Sequence, residues 1–193
     1  MNVRFSILSK VIAGFLIGML LFSGCGEPES QEVEPDRRKS PIAIAQTTHE
    51  PSDTYIKIVY GQPYKKDRQI FGELVPYNEV WRTGANEATE LTTTGEISFV
   101  GKSLDAGTYA LFSIPKQDGS WTIILNSKLG QWGAFNYTST HDVLRADIAS
   151  QSTEKVTEAF TISFSDIQGD STNIIMEWDQ TKVEIPVAFS IDE

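Results

Sequence analysis

Two stretches of the chain collect side chains whose types could bind or transform a ligand. One is VWRTGANEATEL at residues 80–91, part of a richer segment that starts at residue 70; the other is LNSKLGQWGAFNYTSTHDVLR at residues 125–145. In the first, Arg82 offers a planar fork that pairs bidentately with a carboxylate, either Glu87 of the same stretch or one on a ligand. Gly84 would permit a positive φ, and Asn86 can hydrogen-bond its own backbone two residues on. The same residues therefore also suit a locked turn in which Trp81 plugs the core and Arg82 is a latch. In the second, Trp132, Phe135 and Tyr137 follow one another among small residues; aromatic faces on loops stack on sugars and other planar ligands, or cap an open sandwich end. Trp81, Arg82, Asn86, Glu87, Trp132 and Tyr137 form the candidate ligand-binding set, expected to converge on one cleft if the chain binds a ligand there.

Catalytic chemistry finds weaker footing. His141 beside Asp142 invites an acid–base reading, yet adjacent residues on a strand point to opposite faces, so the pair would not meet there and His141 reads as an exposed polar residue. The chain has no G-x-S-x-G elbow and no cysteine placed as a nucleophile. Glu73 and Glu87 could act as a glycosidase acid and base only at a separation the sequence does not supply. Asp166, Asp170 and Asp179 do not have the spacing of a calcium loop, and His49 falls in residues 26–53, which read as a tether, with no free cysteine to complete a zinc cage, so neither a metal nor a cofactor is expected.

The charge narrows the partners. Against 26 acidic residues stand 16 Lys and Arg, a net charge of −10. Phosphate backbones need a basic face whose counterion release drives association, so nucleic acid is not an expected partner. The single cysteine, Cys25, excludes an intramolecular disulfide. It follows the basic residues Arg4 and Lys10, an apolar run VIAGFLIGMLLF at residues 11–22, and Ser23-Gly24. These are the parts of a secretory signal peptide, too short for a span of ~20 apolar residues. FSGC resembles the lipobox of bacterial lipoproteins, which implies acylation of Cys25, cleavage before it, and a membrane partner held through that anchor. Gly26 rather than an aspartate follows, so the resemblance implies outer-membrane sorting.

Residues 26–53 carry four prolines, many charges and almost no aromatic side chains, the composition of a tether that cannot bury enough surface to offset its ordering. The acidic start of this stretch, Glu27 to Asp36, also resembles the export tag of surface-exposed lipoproteins. The expected organisation is residues 1–24 as signal peptide, 25–53 as acylated cysteine and tether, and 54–193 as one domain. Beyond residue 54, short runs of β-branched and aromatic residues alternate with Gly, Asp, Asn and Pro. Strands are expected at residues 55–60, 96–100, 108–114, 121–125 and 160–165, with a last hairpin of 174–178 and 182–189 around residues 179–181. Short helical pieces are the best reading near residues 77–80 and 128–132. Eight or nine strands with regular turns imply an all-β domain, a single β-sandwich of jelly-roll-like or Greek-key type.

With AGTYALFSIP at residues 106–115, the two rich segments resemble the bacterial secreted family catalogued as domain of unknown function 2911, over about residues 55–190. The resemblance implies a compact, mostly β domain in secreted or anchored bacterial proteins and carries no activity, substrate or catalytic residue. The leading expectation is a lipid-anchored β-sandwich at the outer membrane or cell surface that binds a small polar ligand, a glycan or an envelope protein. The alternatives are a hydrolase-like enzyme acting on envelope or extracellular polymer, with Glu87 or Asp142 as acid or base, and a purely structural lipoprotein.

Overall fold

The structure, a computed structural model, describes residues 38–191. The signal peptide, Cys25 and the first part of the tether lie outside the described residues. Within them, nine strands form one open antiparallel sheet: β1 (Ile42–His49), β2 (Thr54–Gly61), β3 (Thr89–Thr93), β4 (Ile97–Phe99), β5 (Lys102–Leu104), β6 (Gly107–Pro115), β7 (Ser120–Asn126), β8 (Asp142–Phe164) and β9 (Ser171–Phe189). Their spatial order is β1-β2-β3-β6-β7-β8-β9-β4-β5, a meander from which the β4–β5 hairpin departs to the far edge. The all-β expectation holds, and the expected strand positions from residue 96 to 125 fall on β4, β6 and β7.

The long strand β8 turns this sheet into a folded layer. Its first third pairs with β7, from Asp142 to Ala149, and the remainder with β9, from Ser150 to Phe164. The register shifts twice in that second part, between Ser152 and Thr157 and between Thr157 and Thr161. Such irregularities bend a strand and raise its twist, so the two halves of the sheet share one apolar core. That core takes Ile56, Ile58, Leu91, Leu111 and Ile123 from one half and Phe160, Ile162, Met176, Ile185 and Val187 from the other. The Tyr60 hydroxyl ties the halves directly, accepting the Ile162 N–H at 3.0 Å. The expected hairpin at residues 174–189 is instead the single strand β9: Asp179 takes a positive φ of 53° opposite the irregular part of β8 and bends the strand without ending it.

Two further expectations change. Residues 42–49, assigned to the tether, form β1 and pair with β2 along their whole length. Polar Gln46, Thr47 and Thr48 between Pro41 and Pro51 hide a strand whose inward positions are only Ala45 and His49. His49 is buried, stacked on Phe189 at 4.4 Å between ring centroids, with Nδ1 2.8 Å from Ser52 Oγ. Residues 77–80 and 128–132 are turns and loop, not helix. Asn78 adopts a left-handed φ of 64° and its N–H donates to the Pro115 carbonyl, which stops any helical turn there.

Strand β6 explains why AGTYALFSIP reads as a continuous apolar run. Tyr109 and Leu111 face the main core, whereas Ala110 and Phe112 face a second cluster with Ala88 and Ile124, covered by Val80, Ala134 and Tyr137. The two rich segments of the sequence thus pack over the outer face of β6 and β7, and the strand is buried on both sides.

Candidate functional site

The segment at residues 80–91 is pinned from both ends. Trp81 exchanges two backbone hydrogen bonds with Ser113 of β6, at 2.8 and 2.9 Å, continuing the ladder beyond the end of β3. Its ring is 8% exposed, stacks on Trp178 at 5.9 Å, and meets Phe160, Trp121 and Phe71 edge-on, while its Nε1–H donates to the Gly84 carbonyl. Trp81 is a core side chain. The chain then turns through Thr83, which is fully buried at a φ of 53°, a conformation that a β-branched residue adopts only under strain. Three contacts over-determine it: Thr83 Oγ1–H donates to Ser113 Oγ at 3.0 Å, Thr89 Oγ1–H donates to the Thr83 carbonyl, and the Thr89 N–H to the Arg82 carbonyl. The left-handed positions of the turn are Thr83 and Asn86, not Gly84 as expected. Gly84 is required for close approach instead, because a Cβ there would lie 2.9 Å from the Gly61 carbonyl oxygen.

Arg82 emerges from this turn half-buried and does not pair with Glu87. Its Nε is buried without a hydrogen-bond partner among the described residues, and burial pulls its pKa below the ordinary guanidinium value. Among the described residues it makes no ion pair. Glu87 is held by Arg38 instead, a bidentate pair with one N–H···O distance of 2.9 Å. That hydrogen bond, more than the remaining charge, draws the Glu87 carboxyl below its usual range and raises the Arg38 guanidinium.

Arg82 faces a cleft of about 280 Å³ floored by Trp81, Val75 and Trp178. Asn86 also lines it, and Lys39, Lys66 and Arg68 join Arg82 around it; among the described residues no acid lines it. In a chain of net charge −10 this is a local reversal of sign. The Tyr64–Arg68 turn is built to hold it. Lys66 and Asp67 both take left-handed backbone angles, and Arg68 donates from Nε to the Lys65 carbonyl at 2.9 Å and from its terminal nitrogen to the Tyr64 carbonyl. The turn is fastened to β8 by the Lys65 N–H on the Glu158 carbonyl and the Lys66 N–H on the Glu158 carboxylate. Concave, partly apolar floors with a few convergent polar groups are the form that small-molecule sites take.

Of the six candidate residues, Trp81, Arg82 and Asn86 meet at this cleft, and Glu87, Trp132 and Tyr137 do not line it. Glu87 and Trp132 stand opposite each other in a short bridge, flanked by the Ala88 N–H on the Gln131 carbonyl and the Gly133 N–H on the Asn86 carbonyl. The two segments are therefore neighbours, but Trp132 projects into solvent. Tyr137 packs edge-on against Phe112 and donates its hydroxyl to Asp142 at 2.7 Å. Burial first, then that carboxylate, pushes its pKa up to about 12. Lys39, Lys66, Arg68 and Trp178 were missed by the sequence reading; the run KKDR at residues 65–68 was the available signal, but nothing local placed it beside Arg82.

The acid–base candidates are engaged elsewhere. Asp142 accepts from Asn126 Nδ2 at 2.8 Å, from Tyr137, and from Arg145 at 3.0 Å, a closed network on a buried side chain. His141 is exposed, as expected, at the end of a short 3-10 turn. Glu73 is exposed on its loop. Asp179 pairs with Lys65 at 3.2 Å and Asp170 faces His49 at 3.6 Å, so these two acids serve separate contacts. No curated protein and no solved structure matches the chain. The family described as "Protein of unknown function (DUF2911)" matches residues 40–187, from just before β1 into β9, and the chain belongs to that family.

Proposed function

We propose that the chain is exported, anchored to the membrane through lipid on Cys25, and binds a small anionic ligand, foremost an anionic sugar, in the cleft at Arg82. The observation that carries the binding reading is Arg82 itself: a half-buried cation whose Nε lacks a partner among the described residues, set on a cleft that these residues line with three other basic side chains and no acid. A buried donor left without an acceptor costs about 1–3 kcal/mol, and a ligand carboxylate or phosphate supplies that acceptor in a charge-assisted pair. Trp81 and Trp178 give the cleft an apolar floor against which a ring can lie. The acidic surface elsewhere leaves this as a localised attraction.

Calorimetric titration with glucuronate and glucose 6-phosphate, with glucose as the neutral control, tests the reading. Both anions are expected to bind and glucose to bind at least ~10-fold more weakly, the value of one charge-assisted contact. In Arg82→Met the preference for the anions should disappear. Equal binding of glucose and the anions, or no anion binding at all, would overturn it. For the anchor, an alkyne-bearing fatty acid fed to expressing cells should label the wild-type chain and leave Cys25→Ser unlabelled; absence of label on both removes the lipid.

A further inference from the structure

The loop at residues 127–137, SKLGQWGAFNY, holds three large apolar side chains in water: Leu129 at 44%, Trp132 at 59% and Phe135 at 84% exposure. It is not a slack loop. The Lys128 N–H donates to Asn126 Oδ1 at 3.0 Å, Gln131 Nε2 to the Lys128 carbonyl at 2.7 Å, the Gly130 N–H to Glu90 Oε1 at 3.1 Å, and the Tyr137 N–H to the Ala134 carbonyl at 3.2 Å. Gly130 and Gly133 take φ of 66° and 65°, and a Cβ on Gly133 would lie 2.8 Å from the Phe135 ring. The backbone is thus shaped to present these side chains outward, an arrangement that costs apolar hydration unless something covers them.

The occupant is indicated by where the domain begins. Arg38, the first described residue, is bonded to Glu87, and Glu87 stands directly opposite Trp132. The chain therefore enters the domain at the end that carries the aromatic loop. Only residues 26–37 separate Arg38 from Cys25, a reach of at most ~40 Å when fully extended. The loop itself carries one basic residue, Lys128, and no acid in a chain of net charge −10, so an anionic headgroup layer does not repel it. Tryptophan, with an apolar ring and one polar edge, is suited to that boundary. We infer that Leu129, Trp132 and Phe135 insert into the interfacial layer of the bilayer that holds the anchor, laying the domain on the membrane. This rests on the anchored half of the proposed function and is independent of the anion cleft.

The test uses the full chain in vesicles of phosphatidylcholine and phosphatidylglycerol, with either plain or brominated acyl chains. Of the four tryptophans, Trp81, Trp121 and Trp178 are 8%, 3% and 2% exposed, so quenching by brominated lipid reads Trp132. The wild type should lose part of its emission in brominated vesicles, and Trp132→Phe should abolish that loss. Phe135→Ser, which leaves the fluorophore and the core intact, should diminish it. A chain that floats with the vesicles but emits equally in both lipids overturns the loop contact and leaves the anchor standing. A chain that does not float with the vesicles overturns both. Trp132 shielded from aqueous acrylamide yet unquenched by bromine assigns the loop to a protein partner and also overturns the inference.

Discussion

Arg82 separates a ligand-binding cation from a structural latch, and replacing it with methionine turns that difference into a sign. Methionine keeps a flexible apolar stem of comparable reach against Trp81 and removes the guanidinium. A latch would lose its pairs, and truncating one partner of a buried pair costs ~3–5 kcal/mol. Arg82 has no pair to lose among the described residues, and its Nε is buried without an acceptor. Removing a donor in that state relieves a penalty of ~1–3 kcal/mol when burial is complete. Because the side chain is only half-buried, the lower end applies, so Arg82→Met should leave stability unchanged or raise it by ~1 kcal/mol. In a domain of this size that corresponds to a melting temperature unchanged or higher by ~2–4 °C. Urea unfolding followed by tryptophan fluorescence measures it, since the four tryptophans include three in the core. Loss of more than ~1 kcal/mol with an unchanged m-value would refute the reasoning and return Arg82 to a structural role. Greater stability together with lost anion preference is the trade expected of a binding site that holds an unfavourable charge in readiness.

Two further outcomes follow from the geometry. Gly61→Ala should destabilise the domain at or beyond the top of the ~1–3 kcal/mol range for overpacking, because the added Cβ would lie 2.0 Å from the Ala85 carbonyl oxygen, a backbone atom that cannot swing away; a change below ~0.5 kcal/mol in urea titration would show that the 80–91 turn is looser than described. The raised pKa of Tyr137, about 12 against ~10 for a free phenol, makes the folded state hold that proton more tightly than the unfolded chain. Its contribution is therefore complete below pH ~10 and is lost as pH rises toward 12. Burial also raises Tyr60 and Tyr109, so difference spectra of phenolate formation should show a late-titrating amplitude that falls by one tyrosine in Tyr137→Phe, and an unchanged late amplitude in the variant would refute the assignment.

The turns and the middle strands were legible because their cause is local. Residues 108–114 and 121–125 combine β-branched and aromatic residues with Gly119 at the hairpin, and they form β6 and β7 at those positions. Where the sequence misled, the deciding contact was remote. The polar strand β1 has little apolar pattern of its own and is ordered by pairing with β2, and the kink at Asp179 is absorbed within β9 because β8 is irregular opposite it.

The same division holds at the candidate site. Composition and period-2 patterning, which depend on neighbours one or two residues away, were enough to determine an all-β chain, a domain without disulfides, and two segments richer than a bare sheet requires. They could also mark Arg82 and Glu87 as charges in want of partners. Which partner each received was decided by tertiary structure: Glu87 took Arg38, 49 residues away, and Arg82 was left beside Lys39, Lys66 and Arg68 with no acid among the described residues lining its cleft. The physical reason is that an ion pair depends on where side-chain ends lie in space, and sheet register and the folding of β8 over the core set those positions without leaving a trace in local spacing.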